Sequence, residues 1–164
     1  MIAVLTVEGV LSEPTDDLNK AGPSSFGKAL YGSIRGTGSL GIILLSADRD
    51  EVRVSNWLAR EGFSGYSLLM TAKDSLLEGV EYKVDAVKRL LAGGHFVSYV
   101  VDSDPEMVRP MVSVYGVPCL LAVSAMSKAG KSIDLPYQPW DSVVTVLHEE
   151  ALERAKLKEG DHHG

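Results

Sequence analysis

The chain has 164 residues, room for one full core and too few for two ordinary domains. Its 45% hydrophobic and 23% charged residues exclude a disordered chain, and no apolar run reaches the roughly 18 residues that a bilayer span needs. A net charge of −6 argues against non-specific nucleic-acid binding, which draws on a basic surface.

The apolar run Ile2–Thr6 predicts a buried parallel strand, and it passes directly into Val7-Glu8-Gly9-Val10-Leu11. No basic segment precedes it and Glu8 interrupts it early, so a signal peptide is not expected. The segment Ser12–Ser24 carries Pro14, Asp16, Asp17, Gly22 and Pro23, and reads as a loop. Ser25–Ser33 is a weakly patterned helix. Gly41–Ser46 is the second strand. Asp50–Glu61 is a helix with Val52, Val54, Trp57 and Leu58 in a partial stripe, stopped by Gly62. Tyr66–Met70 is the third strand. Glu81–Ala92 is a helix with Val84, Val87, Leu90 and Leu91 on one face, ended by Gly93-Gly94. Phe96–Asp102 is the fourth strand. Asp104-Pro105-Glu106 then opens a helix to Tyr115, with an N-cap followed by proline at the first helical position. Cys119–Val123 is the fifth strand. A long loop, Ser124–Pro139, leads to a last helix over roughly Trp140–Leu157, whose Val143, Val144, Leu147 and Ala151 form an apolar stripe.

Strand and helix alternate with short connections, which forces parallel pairing and right-handed crossovers. The expected fold is a three-layer, doubly wound, Rossmann-like α/β domain with a five-stranded parallel sheet. It covers residues 1–157, with 158–164 as a charged tail. Both long loops follow strands, so both are expected at the carboxyl edge of the sheet, where open α/β folds place their sites.

Cys119 is the only cysteine, which excludes an internal disulfide and points to a reducing, cytoplasmic setting. Its apolar neighbours make it a strand residue rather than a nucleophile. Trp57 and Trp140 read as packing anchors, His95 as a loop residue, and Asp161-His162-His163 as part of a solvated tail.

Four segments, in order, resemble the motifs of the haloacid dehalogenase (HAD) superfamily of phosphohydrolases. There the first strand ends D-x-D-G-[TV]-[LV]. The first Asp is the nucleophile and the second the general acid/base. Here Thr6-Val7-Glu8-Gly9-Val10-Leu11 keeps the frame, with Thr6 at the nucleophile position and Glu8 at the acid/base position. Ile42-Ile43-Leu44-Leu45-Ser46-Ala47 resembles the second motif, where a hydroxyl at the strand end binds the phosphoryl group, and Ser46 matches it. The basic residue usual two positions on is replaced by Asp48, with Arg49 beside it. Tyr82-Lys83-Val84-Asp85 resembles the third motif, and Lys83 matches the lysine that steadies phosphoryl charge; Lys88 reads as solvated. Val100-Val101-Asp102-Ser103-Asp104 resembles the fourth, which holds Mg²⁺; Asp102 and Asp104 match its acidic positions, and Ser103 replaces another. Asn56–Phe63 and Leu68–Met70 further resemble the small members, the polynucleotide-kinase phosphatase domains and the deoxynucleotidases.

The resemblance implies strand order 5-4-1-2-3, with Thr6, Ser46 and Asp102 converging at the sheet edge. It implies no cap domain, since neither usual insertion interval has room for one, and capless members act on large substrates. Each matched residue also has a plainer reading. Ser46 and Asp102 also read as caps of the helices that follow them, Asp104 reads as an N-cap before it reads as a ligand, and Lys83 also reads as a solvated helix residue.

Thr6 removes both the covalent nucleophile and a negatively charged metal ligand. Losing such a nucleophile costs on the order of 10⁴–10⁶ in rate. Glu8 displaces its carboxylate by about 1 Å relative to Asp, which is itself costly. The expectation is therefore a HAD-like protein that has lost catalysis and serves as a binding or assembly module. It retains a phosphate site at Ser46 and Lys83, takes a phosphorylated ligand or a protein partner, and binds Mg²⁺ weakly or not at all. One alternative is a divergent Mg²⁺-dependent phosphohydrolase acting on nucleotides or polynucleotide 3′-phosphate ends. A third is a structural subunit of a larger assembly.

Overall fold

The computed structural model describes residues 1–122. Within them five strands alternate with four helices: β1 (Ile2–Thr6), α1 (Ser25–Thr37), β2 (Gly41–Ser46), α2 (Glu51–Arg60), β3 (Leu68–Thr71), α3 (Gly79–Ala92), β4 (Val97–Asp102), α4 (Pro105–Ser113) and β5 (Cys119–Leu121). All pairings are parallel, in the order β3-β2-β1-β4-β5. This is the expected doubly wound, Rossmann-like α/β sheet. The expected last helix, the loop before it, Trp140 and the tail histidines lie outside the described residues.

The period of two along the strands sorts side chains into two cores. Ala3 and Leu5 of β1, with Ile42 and Leu44 of β2, face Tyr31 and Ile34 of α1 and Val54, Trp57 and Leu58 of α2. Val4, Ile43 and Leu45 point the other way, against Tyr82, Ala86, Val87 and Leu90 of α3 and Met107 and Met111 of α4. A strand buried on both faces needs apolar residues at every position, and β1 and β2 have them up to their last residue. Each fully buried Val, Leu or Ile side chain contributes about 1.5–3 kcal/mol.

The first two helices cover one face and the last two the other, so the winding reverses between β1 and β4. β1 pairs with both neighbours, Thr6 opposite Leu45 on one side and Leu5 opposite Val101 on the other. The crevice beyond the carboxyl ends of β1 and β4 is the topological switch point, the place where such sheets bind ligands.

Several boundaries differ from the sequence reading, for local reasons. Helix α1 runs to Thr37, past Ser33, because its buried stripe continues through Ile34. The helix also clamps the α2–β3 connection: Lys28 donates to the Glu61 carbonyl, Tyr31 to that of Ser64 at 2.9 Å, and Arg35 to that of Gly65 at 2.8 Å. That clamp turns the chain at Gly65, so β3 starts at Leu68 and not at Tyr66. Helix α4 stops at Ser113 because Pro110 supplies no N–H and its own carbonyl collects the N–H groups of Val114 and Tyr115.

The segment after β1 is one wide turn, Val7–Leu11, closed by the Ser12 N–H on the Val7 carbonyl at 2.9 Å. Gly9 has φ +78°, and a Cβ there would lie 2.3 Å from Ser103 Oγ. Glycine is required both for the backbone and for the close approach to the end of β4. The Ser12–Ser24 loop then closes on itself through a Ser12–Pro23 bridge and the Glu13 N–H on the Gly22 carbonyl. Buried Leu18 and the bond from Trp57 Nε1 to the Ala21 carbonyl, 2.9 Å, hold it over the sheet edge. Trp57 is fully buried and stacked on Phe63, a packing anchor as expected.

Candidate functional site

Two hydrogen-bonded groups occupy the switch point. In the first, Thr6 at the end of β1 donates its hydroxyl proton to Asp102 Oδ2 at 2.7 Å, directly across the crevice. Lys83, one turn into α3, reaches the same carboxylate, with Nζ 2.8 Å from each oxygen. The Asp104 N–H donates to Asp102 Oδ1 at 2.8 Å. Asp102 is fully buried and Lys83 is 7% exposed, so this is an interior ion pair and not a surface one. Such a pair stands only when its remaining lone pairs are satisfied, as they are here. In the second group, Ser46 at the end of β2 donates to the Glu8 carboxylate and accepts from the Asp48 N–H at 3.1 Å. Burial pushes the Glu8 carboxyl above its ordinary range; the Ser46 hydroxyl opposes the shift without cancelling it.

Thus Thr6, Lys83 and Asp102 come together in direct contact, and Glu8, two residues past the end of β1, pairs beside them with Ser46 at the end of β2. Asp104 caps α4, with Oδ1 accepting from the Glu106 N–H at 3.0 Å, and it also borders the cleft. Lys88 and His95 are exposed, away from this group. Cys119 lies buried in β5, and burial pushes its thiol up to about 12, so it is inert as a nucleophile.

The cleft above these groups measures about 1020 Å³. Its walls come from the Ser12–Ser24 loop, the β2–α2 connection, the start of α3 and the start of α4. Thr6, Glu8, Lys83 and Asp104 line it; Ser46 and Asp102 lie beneath. Among the described residues, no domain is inserted between β1 and α1 or between β3 and α3. The N-cap of α3, Glu78, gives that helix no side-chain bond. Its carboxylate instead meets Arg49 at 3.0 Å across the rim. Gly79 and Val80 therefore bring the first turn of α3 to the cleft with its N–H groups uncapped.

The sequence reading missed two features of the rim. Asp48, at the position where the resemblance leads one to expect a basic residue, is gripped by Arg53 through Nε at 3.0 Å and a second nitrogen at 2.7 Å. Burial opposes its ionisation, but the Arg53 fork and the N–H groups of Asp50 and Arg49 outweigh it and hold its carboxyl below the usual range. The Arg49–Glu78 bridge is the other. The acidic residue at 48 followed by an arginine in the first turn of the next helix was the available signal for the first. Nothing in the sequence marked the second, since 29 residues separate its partners.

No family model matches the sequence, and no curated protein matches it. Its fold does match solved structures. A chain in the structure of the Pnkp1/Rnl/Hen1 RNA repair complex superposes with TM-score 0.63 at 16% identity, over 73% of this chain and 41% of that one. A chain in a second structure of the Pnkp1/Rnl/Hen1 complex gives 0.60 at 19% identity, over 73% and 45%. This chain therefore spans less than half the length of either. At such identities the likeness is one of fold. No helix among the described residues is long and apolar enough to cross a membrane.

Proposed function

We propose that this chain is a non-catalytic, HAD-like binding module whose open cleft takes a phosphoryl-bearing ligand or partner. The observation that carries the reading is the bond from Thr6 to Asp102. A threonine hydroxyl is a weak nucleophile unless a base takes its proton. Its acceptor among the described residues is a carboxylate that already holds three other N–H bonds, two from Lys83 and one from Asp104. An acceptor so fully engaged is a poor base. Thr6 is also 1% exposed, which leaves little of it for a substrate to meet.

The phosphate site has support, though not from both residues expected. Ser46 spends its proton on Glu8 and does not line the cleft. Lys83 does, and its ammonium has a third N–H beyond the two it gives Asp102; with the uncapped start of α3, and with Arg49 once it turns from Glu78, it is what the cleft offers an anion. The likeness to chains of an RNA repair complex makes a nucleic-acid end the first ligand to try. The absence of a cap suits a ligand too large to enclose.

The test is a binding comparison between two short oligonucleotides that differ only in a 3′-phosphate or 3′-hydroxyl. One to two charge-assisted hydrogen bonds, at about 1.5 kcal/mol each, correspond to roughly 10- to 100-fold tighter binding of the phosphorylated form. Equal binding of the two would remove the phosphoryl group from the account.

One observation favours the second reading, a divergent phosphohydrolase. Glu8 lines the cleft with a raised proton affinity, which is what a general acid needs. It supplies an acid without a nucleophile, and so ranks second.

A further inference from the structure

We infer that Lys83 is the resident cation of this site, and that its ammonium closes the Asp102 carboxylate to divalent metal ions. The inference deepens the non-catalytic reading above and rests on it. An ionised carboxylate offers about four lone-pair positions. At Asp102 two are taken by Lys83, one by Thr6 and one by the Asp104 N–H, all at 2.7–2.8 Å. The ammonium is equidistant from both oxygens, which is the fork a bidentate metal ion would need. Mg²⁺ requires oxygen ligands at about 2.0–2.1 Å in a near-octahedral shell, so it could reach Asp102 through one oxygen only by displacing one of these buried donors, and through both oxygens only by expelling the lysine.

No neighbouring group makes good the loss. Thr6 brings no charge where the resemblance implies a carboxylate. Asp104 spends an oxygen on the Glu106 N–H, and Glu8 accepts from Ser46. Asp48 is forked by Arg53, and Glu78 is bridged by Arg49. Each of the carboxylates Asp48, Glu78 and Asp102 is matched to its own basic side chain. Among the described residues, no group of three or more His, Cys, Asp or Glu side chains is placed to hold a metal ion. The donor set fits an internal ion pair and does not fit Mg²⁺.

The test uses the native chain, an Asp102→Asn variant, and Lys83→Met with Lys83→Gln as its milder companion. Each is freed of metal and titrated with Mg²⁺ by thermal denaturation. Bound Mn²⁺ is counted in parallel from the loss of the free-ion paramagnetic signal. The native chain is expected to show no rise in Tm at millimolar Mg²⁺ and no Mn²⁺ retained at this carboxylate. Removing the ammonium leaves a buried, unpaired carboxylate, so whichever Lys83 variant folds is expected to gain a Mg²⁺-dependent rise in Tm. A native rise in Tm that disappears in Asp102→Asn would overturn the inference. So would a folded Lys83 variant as insensitive to Mg²⁺ as the native chain. Metal binding without phosphate release would sink this inference and leave the non-catalytic reading standing; metal-independent phosphate release would do the reverse.

Discussion

Lys83 and Asp102 lie 19 residues apart in sequence and meet at 2.8 Å in the interior, the ammonium centred on both carboxylate oxygens. Deleting one member of a buried pair leaves the other charged and unsatisfied, at a cost of about 3–5 kcal/mol. Lys83→Met and Asp102→Asn should each lower the urea midpoint accordingly. The double variant should lose clearly less than the sum, because neither partner is then stranded. A strictly additive double variant would mean that the two groups do not sense each other.

Glu8 gives the pH dependence. Its folded carboxyl titrates above the ordinary 4.5, chiefly through burial. The folded state therefore holds this proton more tightly than the unfolded chain. Its contribution is fully present below the ordinary value and is lost as pH rises through the folded one. A Glu8→Gln variant keeps an acceptor for Ser46 and has no proton to lose. Native stability should fall relative to that variant as pH is raised from about 4 toward neutrality. Parallel pH profiles from chemical denaturation would contradict this.

Gly27 packs α1 against the turn after β1. A Cβ there would lie 2.4 Å from the Val10 carbonyl oxygen and 2.6 Å from Leu11 Cα. Alanine is the better helix former by about 1 kcal/mol, but overpacking against backbone costs about 1–3 kcal/mol. Gly27→Ala should therefore destabilise. Gly32→Ala in the same helix meets nothing within 4 Å and should stabilise by about 0.5–1 kcal/mol. Circular-dichroism melts of the two variants check the contrast, and matching shifts would show that propensity alone decides.

Adding carboxylates should create metal sensitivity. In Thr6→Asp combined with Glu8→Asp, the hydroxyl that donates to Asp102 becomes a second acceptor. It competes for Lys83 and frees a lone pair on Asp102. Mg²⁺ affinity follows the number of charged oxygen ligands, so calorimetric titration should find binding in the double variant that the native chain lacks. Equal affinity in both would mean that residues 6 and 8 do not face a cation site.

The fold was legible because buried parallel strands need unbroken apolar runs, and β1 and β2 supply them between clear turn residues, with β4 broken only at Ser98. Strand order followed from the motif resemblance and is the order observed. Gly41–Ser46 matched to the residue because both faces are covered along its length; β3, a half-exposed edge strand, did not. The positions of Thr6, Lys83 and Asp102 were likewise legible as strand ends and a first helical turn. Their wiring was not. That Thr6 would give its proton to Asp102, or that Ser46 would turn to Glu8, depends on side-chain geometry across 96 and 38 residues. The helix α1 boundary was misread because Gly27, Gly32 and Gly36 depress local propensity, while packing on the sheet decides the outcome.

On the proposed reading, the site resembles that of a phosphatase in its frame and lacks its chemistry. The most direct measurement is phosphate release from an aryl phosphate and from a 3′-phosphorylated oligonucleotide, with Mg²⁺ and with chelator, alongside Asp102→Ala. Release is expected at the rate of the buffer control in every arm. Mg²⁺-dependent turnover by the native chain that vanishes in Asp102→Ala would contradict it.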